Sequence, residues 1–221
     1  MRSRAGGAIR LAWLAVASAL AGVVHAGSIT VQVTGERIGA VADAVVSLRA
    51  QGGDAAATAR APVTRSVDQR DETFIPYVEI FRPGDRVVFR NSDSTRHHVY
   101  SFSPAGAFEF VIAPGESSPP VTLDRTGDIA VGCNIHDQMI THLYVSDAQW
   151  VAKSGADGRV DFDDLPHGRY TLRVWHPQLR PGRMTPERTV EVGDASVPVD
   201  VALSLLPDPR QAVDDRERSR Y

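Results

Sequence analysis

Three kinds of side chain that bind soft metal ions occur in two short stretches of the sequence. Cys133 is the only cysteine of the chain, and His136 and Met139 follow it at three-residue steps. His97 and His98 lie next to each other upstream. One thiolate, two imidazoles and one thioether form the donor set of a mononuclear blue-copper electron-transfer site. The spacing therefore predicts a copper site made by the three downstream residues and one of the two upstream histidines.

The four donors would have different roles at a single copper ion. A thiolate donates charge into copper, two imidazoles complete a trigonal arrangement, and a weak axial thioether tunes the potential. Cys133 would close one strand, His136 would lie in a turn, and Met139 would begin the next strand. Zinc is the chemical runner-up, but a thioether is not among the usual zinc ligands. No catalytic order such as Ser-His-Asp stands out, so we predict that the chain is not an enzyme.

The sequence around these donors resembles the cupredoxin family, which includes plastocyanin, amicyanin and pseudoazurin. The resemblance covers residues 67–146. Its motifs are Pro83-Gly84-Asp85-x-Val87-x-Phe89-x-Asn91, His97-x-Val99 and Cys133-x-x-His136-x-x-Met139. The resemblance implies a Greek-key β-sandwich that holds one type I copper ion through His97, Cys133, His136 and Met139.

The choice between His97 and His98 stays open at this point. In the family the first ligand is a histidine followed by Asn-Val, and the triplet His97-His98-Val99 puts His97 in the ligand position. Successive residues of a strand face opposite sides of the sheet, so only one of the two can reach the site. His97 is favoured, and His98 is the possible alternative ligand. Ile135 and Thr141 also depart from the proline and glycine that are frequent in the family.

The resemblance also implies a function. Cupredoxins carry single electrons between redox proteins, and the close C-H-M spacing is similar to that of amicyanin. This implies a role in amine oxidation, in particular methylamine utilization, with a dehydrogenase or a c-type cytochrome as partner. In the family the loop histidine reaches the surface among apolar residues, which implies electron transfer through His136 with Ile135 and Ile140 around it. The alternatives are a copper carrier or sensing module without electron transfer, and a scaffold protein with a relic site.

The N-terminus has the pattern of a secretory signal peptide. Arginines precede an apolar stretch from Leu11 to Val24, and Ala26 offers a small residue at the cleavage point. We therefore expect residues 1–26 to be removed and the mature protein to be periplasmic, with no membrane span. An uncleaved anchor is the alternative, but the apolar stretch is short for a span that needs ~20 residues.

Charge and cysteine content are consistent with export. The formal net charge of the whole chain is −3, and loss of the arginines of the leader makes it three units more negative. Nucleic acid is therefore not an expected partner, because its binding needs a basic patch. A single cysteine in an oxidising compartment is at risk of oxidation unless something protects it. A buried metal thiolate provides such protection.

The rest of the sequence predicts an all-β protein. Short alternating segments recur between turn residues, and no long segment has the 3.6-residue apolar period of a helix. Residues 51–66 have the composition of a linker, and residues 207–221 that of a disordered tail. His142 alternates with apolar neighbours and is expected to point into solvent.

Residues 27–50 and 147–206 resemble two halves of one carboxypeptidase regulatory-like, transthyretin-like β-sandwich. The first half carries Gly35-x-x-x-Gly39, and the second carries turns at residues 155–160 and 165–170. A sandwich of this kind needs ~7 strands, and neither half has enough alone. We therefore predict that the cupredoxin domain is inserted into, or joined to, this second small β-sandwich. Two unrelated segments in tandem are the alternative.

Overall fold

The computed structural model describes residues 26–36, 38–52, 60–180 and 186–211. The predicted signal peptide falls outside this range except for Ala26, which begins the first strand. Within the described residues, no helix has the length and apolar character needed to cross a membrane. Every regular element described is a β-strand, so the predicted all-β class is confirmed.

The structure has seventeen strands in the described part of the chain. They are β1 Ala26–Gly35, β2 Gly39–Ala40, β3 Val45–Ala50, β4 Thr64–Arg70, β5 Thr73–Ile75, β6 Val78–Phe81, β7 Asp85–Asn91, β8 His97–Ser103, β9 Gly106–Ile112, β10 Val121–Leu123, β11 Gly127–Cys133, β12 His136–Val145, β13 Trp150–Lys153, β14 Arg159–Pro166, β15 Gly168–Trp175, β16 Glu187–Val192 and β17 Val197–Leu203.

The first and last strands of the chain form one pair of sheets, here called the flanking module. One sheet has the order β14-β1-β17, with β2 added on β1, and the other has the order β13-β3-β15-β16. Alternate residues of these strands point inward and form one apolar core, as the buried residues Ile29, Leu48 and Leu172 illustrate. Period-two burial along β1 is the structural result of the alternation in its sequence.

The strands between them form a second pair of sheets, here called the central module. Their orders are β10-β7-β4-β5 and β6-β12-β11-β8-β9. Phe81, Phe89 and Leu143 are fully buried in their shared core, which also contains Cys133 and Met139. The central module therefore presents its single cysteine to a core rather than to solvent.

In the sequence, the central module lies between β3 and β13 of the flanking module, and these two strands pair with each other. Strand β3 pairs with β13 and β15, and β1 pairs with β14 and β17, although more than a hundred residues separate the partners. Strand β4 begins at Thr64, where it pairs with β7, so the last three residues of the predicted linker belong to the central module. Whether the flanking module is regulatory-like stays a prediction.

The two modules meet across the outer face of β6 and β12. Val45, Tyr77 and Val78 are buried there, and Ile140 and Trp175 are among the partly buried residues that pack on them. The ring centroids of Tyr144 and Trp175 lie 4.6 Å apart. Lys153 donates a hydrogen bond to the carbonyl oxygen of Val78 at 2.7 Å. This junction is apolar at its centre and hydrogen-bonded at its rim.

The beginning of the predicted disordered tail takes part in the same junction. The guanidinium of Arg210 lies 3.4 Å from the ring centroid of Tyr77, and Arg210 pairs with Asp208. Residues 207–211 of the predicted tail thus contact the junction through a cation over an aromatic face, and the disorder of the tail stays a prediction. Residues 212–221 lie outside the described part of the chain.

Candidate metal centre

Strand order brings the predicted ligands together at one end of the five-stranded sheet. His97 begins β8, Cys133 ends β11, and His136 begins β12. Strand β11 lies between the other two, and Cys133 pairs with Val99 on one side and with His136 on the other. The ladder between β11 and β12 shifts register after Gly132, which leaves Met139 without the partner that a regular ladder would give it.

Three donor atoms converge in this arrangement. The Sγ atom of Cys133 lies 3.6 Å from Nδ1 of His97 and 4.0 Å from Nδ1 of His136. All three donor atoms lie within 4.8 Å of one another. His97 is completely buried and Cys133 nearly so, whereas the side chain of His136 is 18% exposed. The cluster is therefore buried at His97 and Cys133 and lies near the surface at His136.

The separations fit one metal ion held by a thiolate and two imidazoles. Bonds of about 2.0–2.1 Å to nitrogen and about 2.3 Å to sulfur, the lengths typical of zinc, separate nitrogen from sulfur by about 3.6–3.8 Å at angles of ~110–120°. The two sulfur–nitrogen distances lie at this range or 0.2 Å beyond it. Met139 is buried in the same core cluster as Cys133, so the predicted thioether and the thiolate belong to one core.

The two upstream histidines have opposite environments. His97 points inward to Cys133, whereas Nε2 of His98 lies 2.6 Å from Oε1 of Glu109 on the outer face of β8 and β9. Alternation along a strand explains the difference. The structure therefore brings His97, and not His98, into the cluster.

A carboxylate lies near the Nε2 atom of each of the two clustered imidazoles, on the side of the ring away from Cys133. Nε2 of His97 lies 2.8 Å from Oδ2 of Asp93, and Nε2 of His136 lies 3.4 Å from Oε1 of Glu72. Such a partner fixes the ring orientation of a metal-bound histidine and leaves Nδ1 free to bind the metal. The two carboxylates come from two loops that are joined to each other, because the backbone amides of Asp71 and Glu72 donate to the carboxylate of Asp93.

The surroundings of Asp93 favour the charged form of its carboxyl group. Burial raises the pKa of its carboxyl group, but hydrogen bonds from His97 and from the amides of Glu72 and Asp71 outweigh burial and hold the pKa below its usual value. Sequence reasoning missed Asp93 and Glu72. Asp93 could have been found, since it lies in a polar loop four residues before His97; Glu72 is brought close only by the fold.

Loss of the Asp93 carboxylate is expected to weaken metal binding without removing a ligand. In Asp93→Asn, the amide holds His97 less firmly, and we expect copper affinity to fall by about 10- to 100-fold, the usual effect of removing such a partner. Competition with a chelator measures this. The matched control is Glu109→Gln, which removes the carboxylate beside His98 and should change affinity little. Equal losses in the two variants would contradict the assignment of His97.

The predicted electron-transfer surface is only partly assembled. Ile135 is 52% exposed beside His136, as expected. Ile140 lies elsewhere: it faces the flanking module and packs in the junction. His142, expected in solvent, is buried there too, 3.0 Å from Asp128 and against the rings of Tyr77 and Trp175. Both residues are covered because the flanking module packs on the outer face of β12.

Solved structures similar to this chain include an amicyanin, another cupredoxin and a copper-containing nitrite reductase. Amicyanin from Paracoccus versutus has 15% identity over 45% of this chain and 98% of its own, with a TM-score of 0.35. A purple cupredoxin from Nitrosopumilus maritimus has 16% identity over 37% of this chain and 98% of its own, with a TM-score of 0.33. A copper-containing nitrite reductase from Thermus scotoductus has 25% identity over 44% of this chain and 25% of its own, with a TM-score of 0.33.

No protein-family model matches the chain, and no curated protein matches it. The chain is thus similar to cupredoxins among solved structures, the family that its sequence motifs resemble. Because the TM-scores lie below 0.5, the metal chemistry proposed next is derived from the side chains of the site.

Proposed function

We propose that this chain is a type I copper protein that carries single electrons between redox partners in the periplasm. The convergence of Sγ of Cys133 with Nδ1 of His97 and of His136 is the observation that supports it most directly. A thiolate with two imidazoles and a nearby thioether selects copper over zinc, magnesium or calcium. Copper at such a site would supply one-electron chemistry.

The residues around the donors favour a centre that changes little in shape. A hydrogen bond to Asp93 holds the far nitrogen of His97, and Glu72 lies 3.4 Å from the far nitrogen of His136. Cys133 and Met139 lie in a packed core. A site whose ligands cannot move keeps the same geometry in both oxidation states. This rigidity favours electron transfer over a carrier that must open to hand over its metal ion.

The test is to load the purified protein with copper and compare His97→Ala with His98→Ala. The native protein and His98→Ala should show strong visible absorption from thiolate-to-copper charge transfer and should cycle reversibly between the two oxidation states. His97→Ala should lose both properties, because one of the two imidazoles is removed. A colourless copper-loaded native protein would refute the proposal, and colour without reversible cycling would favour the carrier or sensing module.

The partners and the compartment belong to the same proposal. A dehydrogenase of the amine-oxidising class as electron donor and a c-type cytochrome as acceptor are the first candidates, on the strength of the amicyanin-like ligand spacing. Cell fractionation with an antibody against the chain tests the periplasmic location. Reduction of the copper-loaded protein by an amine dehydrogenase and methylamine tests the donor.

A further inference from the structure

The outer face of the five-stranded sheet is covered on one half and open on the other. The half formed by β6 and β12 packs against the flanking module. The half formed by β8 and β9 carries His98, Tyr100, Phe102 and Val111 on the same side, here called the β8–β9 patch. Phe102 is 79% exposed and Val111 63% exposed. Within the residues that the structure describes, the sheet therefore presents a largely apolar face, with Glu109 opposite Tyr100, that is covered only in part.

The side chains of the patch are arranged as a continuous surface. Ring centroids of Tyr100 and Phe102 lie 5.2 Å apart, and those of His98 and Tyr100 lie 6.4 Å apart. His98 pairs with Val111 across the two strands, which places the valine beside the aromatic row. A largely exposed phenylalanine within such a row is the composition of an interface centre, where aromatic residues are enriched.

The patch touches the backbone next to the thiolate. Tyr100 pairs with Gly132, and a Cβ atom at Gly132 would lie 3.2 Å from Cζ and Oη of Tyr100. The tyrosine ring thus lies directly over the residue bonded to Cys133, and a larger side chain at position 132 would crowd the ring. From the Sγ atom, the exposed surface is reached through one peptide unit and one van der Waals contact.

We propose that a one-electron redox protein, with its cofactor edge set in an apolar surface, docks on the β8–β9 patch. This inference rests on the proposed function, because it requires a metal at Cys133. One electron passes from copper(I) to the oxidised cofactor of the partner, which leaves copper(II) and a singly reduced cofactor. The occupant is a redox partner rather than a structural one, since the patch lies over the backbone that leads to the thiolate.

The route differs from the one expected through His136. Around that histidine, Ile135 is exposed, but Ile140 belongs to the junction and cannot contribute to a docking surface. The β8–β9 patch offers several aromatic and aliphatic side chains in one plane. The exposed Phe102 and Val111 supply the apolar part of the contact, which high salt disturbs little, whereas the pair of His98 with Glu109 on the same face is the part that salt can screen.

The experiment uses the full mature chain, cytochrome c as the probe, and a high salt concentration to suppress non-specific attraction. Electron transfer from the reduced copper protein to cytochrome c should be about tenfold slower in Phe102→Ser, the scale expected for loss of an aromatic anchor. The rate with ferricyanide, a small oxidant that needs no docking surface, should stay unchanged. Ile38→Ser is the matched control, since it removes a 64% exposed isoleucine from the flanking module.

A second readout needs no electron transfer. In the ¹⁵N-labelled copper(I) protein, cytochrome c should shift amide signals of β8 and β9 and leave those of residues 134–138 unaffected. If Ile135→Ser slows the reaction and Phe102→Ser does not, the proposal is overturned while the copper function stands. If Phe102→Ser changes only self-association of the chain, measured by sedimentation, the patch binds a second copy and the proposal fails. Absence of a visible copper band refutes the underlying function instead.

Discussion

Replacing Cys133 with serine is expected to abolish the visible absorption of the copper-loaded protein completely. A serine hydroxyl does not donate charge into copper as a thiolate does, so the charge-transfer band has no origin in the variant. The two residues are similar in size, and Cys133 lies in a packed core, so the variant should still fold. Visible spectroscopy of the copper-loaded variant, with far-ultraviolet circular dichroism as the check on folding, measures the result.

Met139→Leu is the matched control for this experiment. It replaces a buried core side chain by one of similar volume and removes only the weak axial donor. The band should survive with a changed reduction potential, since an axial ligand tunes the potential rather than creating the colour. A folded Cys133→Ser protein that keeps the band would contradict a thiolate ligand, and a colourless Met139→Leu protein would contradict the axial role of the thioether.

Asp85→Ala is expected to destabilise the central module by about 1–3 kcal/mol for each backbone donor that is left without its acceptor. The carboxylate of Asp85 is buried at the start of β7 and accepts hydrogen bonds from the amides of Val63 and Arg82 and from the guanidinium of Arg60. Loss of the carboxylate therefore releases the entry to β4 and the turn before β7 together. Denaturant unfolding measures the change, and Asp124→Ala, at an exposed acidic residue, is the control.

The same carboxylate makes stability depend on pH in a defined direction. Burial raises the pKa of Asp85, but the hydrogen bonds from Arg60, Val63 and Arg82 outweigh it, so the pKa lies below the ordinary value. A lowered folded-state pKa means that the contribution to stability is fully present above the unfolded value of about 3.9 and is lost as the pH falls through the folded value. Asp85→Asn should flatten this part of the acid unfolding curve. An unchanged curve would contradict the prediction.

The sequence was sufficient to predict what depends on residue type and spacing. The all-β class follows from alternation and turn residues, and the candidate ligands follow from the combination of Cys133, His136, Met139 and an upstream histidine. The identity of that histidine could not be settled from spacing alone, because His97 and His98 differ only in the face of β8 that they occupy. Which face of β8 points into the core depends on how β8 pairs with its neighbouring strands, and the spacing of the residues does not give that pairing.

Features that depend on distant parts of the chain were missed. Ile140 and His142 follow the alternation of an outward-facing set, and the sequence of β12 contains no sign that another module covers that face. The contact of Arg210 with the ring of Tyr77 was missed for the same reason, because the charged composition of the tail gives no sign of a distant aromatic partner. Glu72 reaches His136 only because the β4–β5 turn lies beside the ligand loop.

The central module lies between β3 and β13 in the sequence, and this arrangement bears on the order in which the sheets are expected to form. Thr30 and Asp161, hydrogen-bonded on neighbouring strands of the flanking module, are 131 residues apart in sequence. Closing such a loop costs about 4 kcal/mol while the intervening chain is unstructured, and roughly 1 kcal/mol less once a folded insert brings its two ends together. We therefore expect the flanking strands to pair after the inner sheets have formed. A metal ion that stabilised the inner sheets would then also favour the closure of the outer ones.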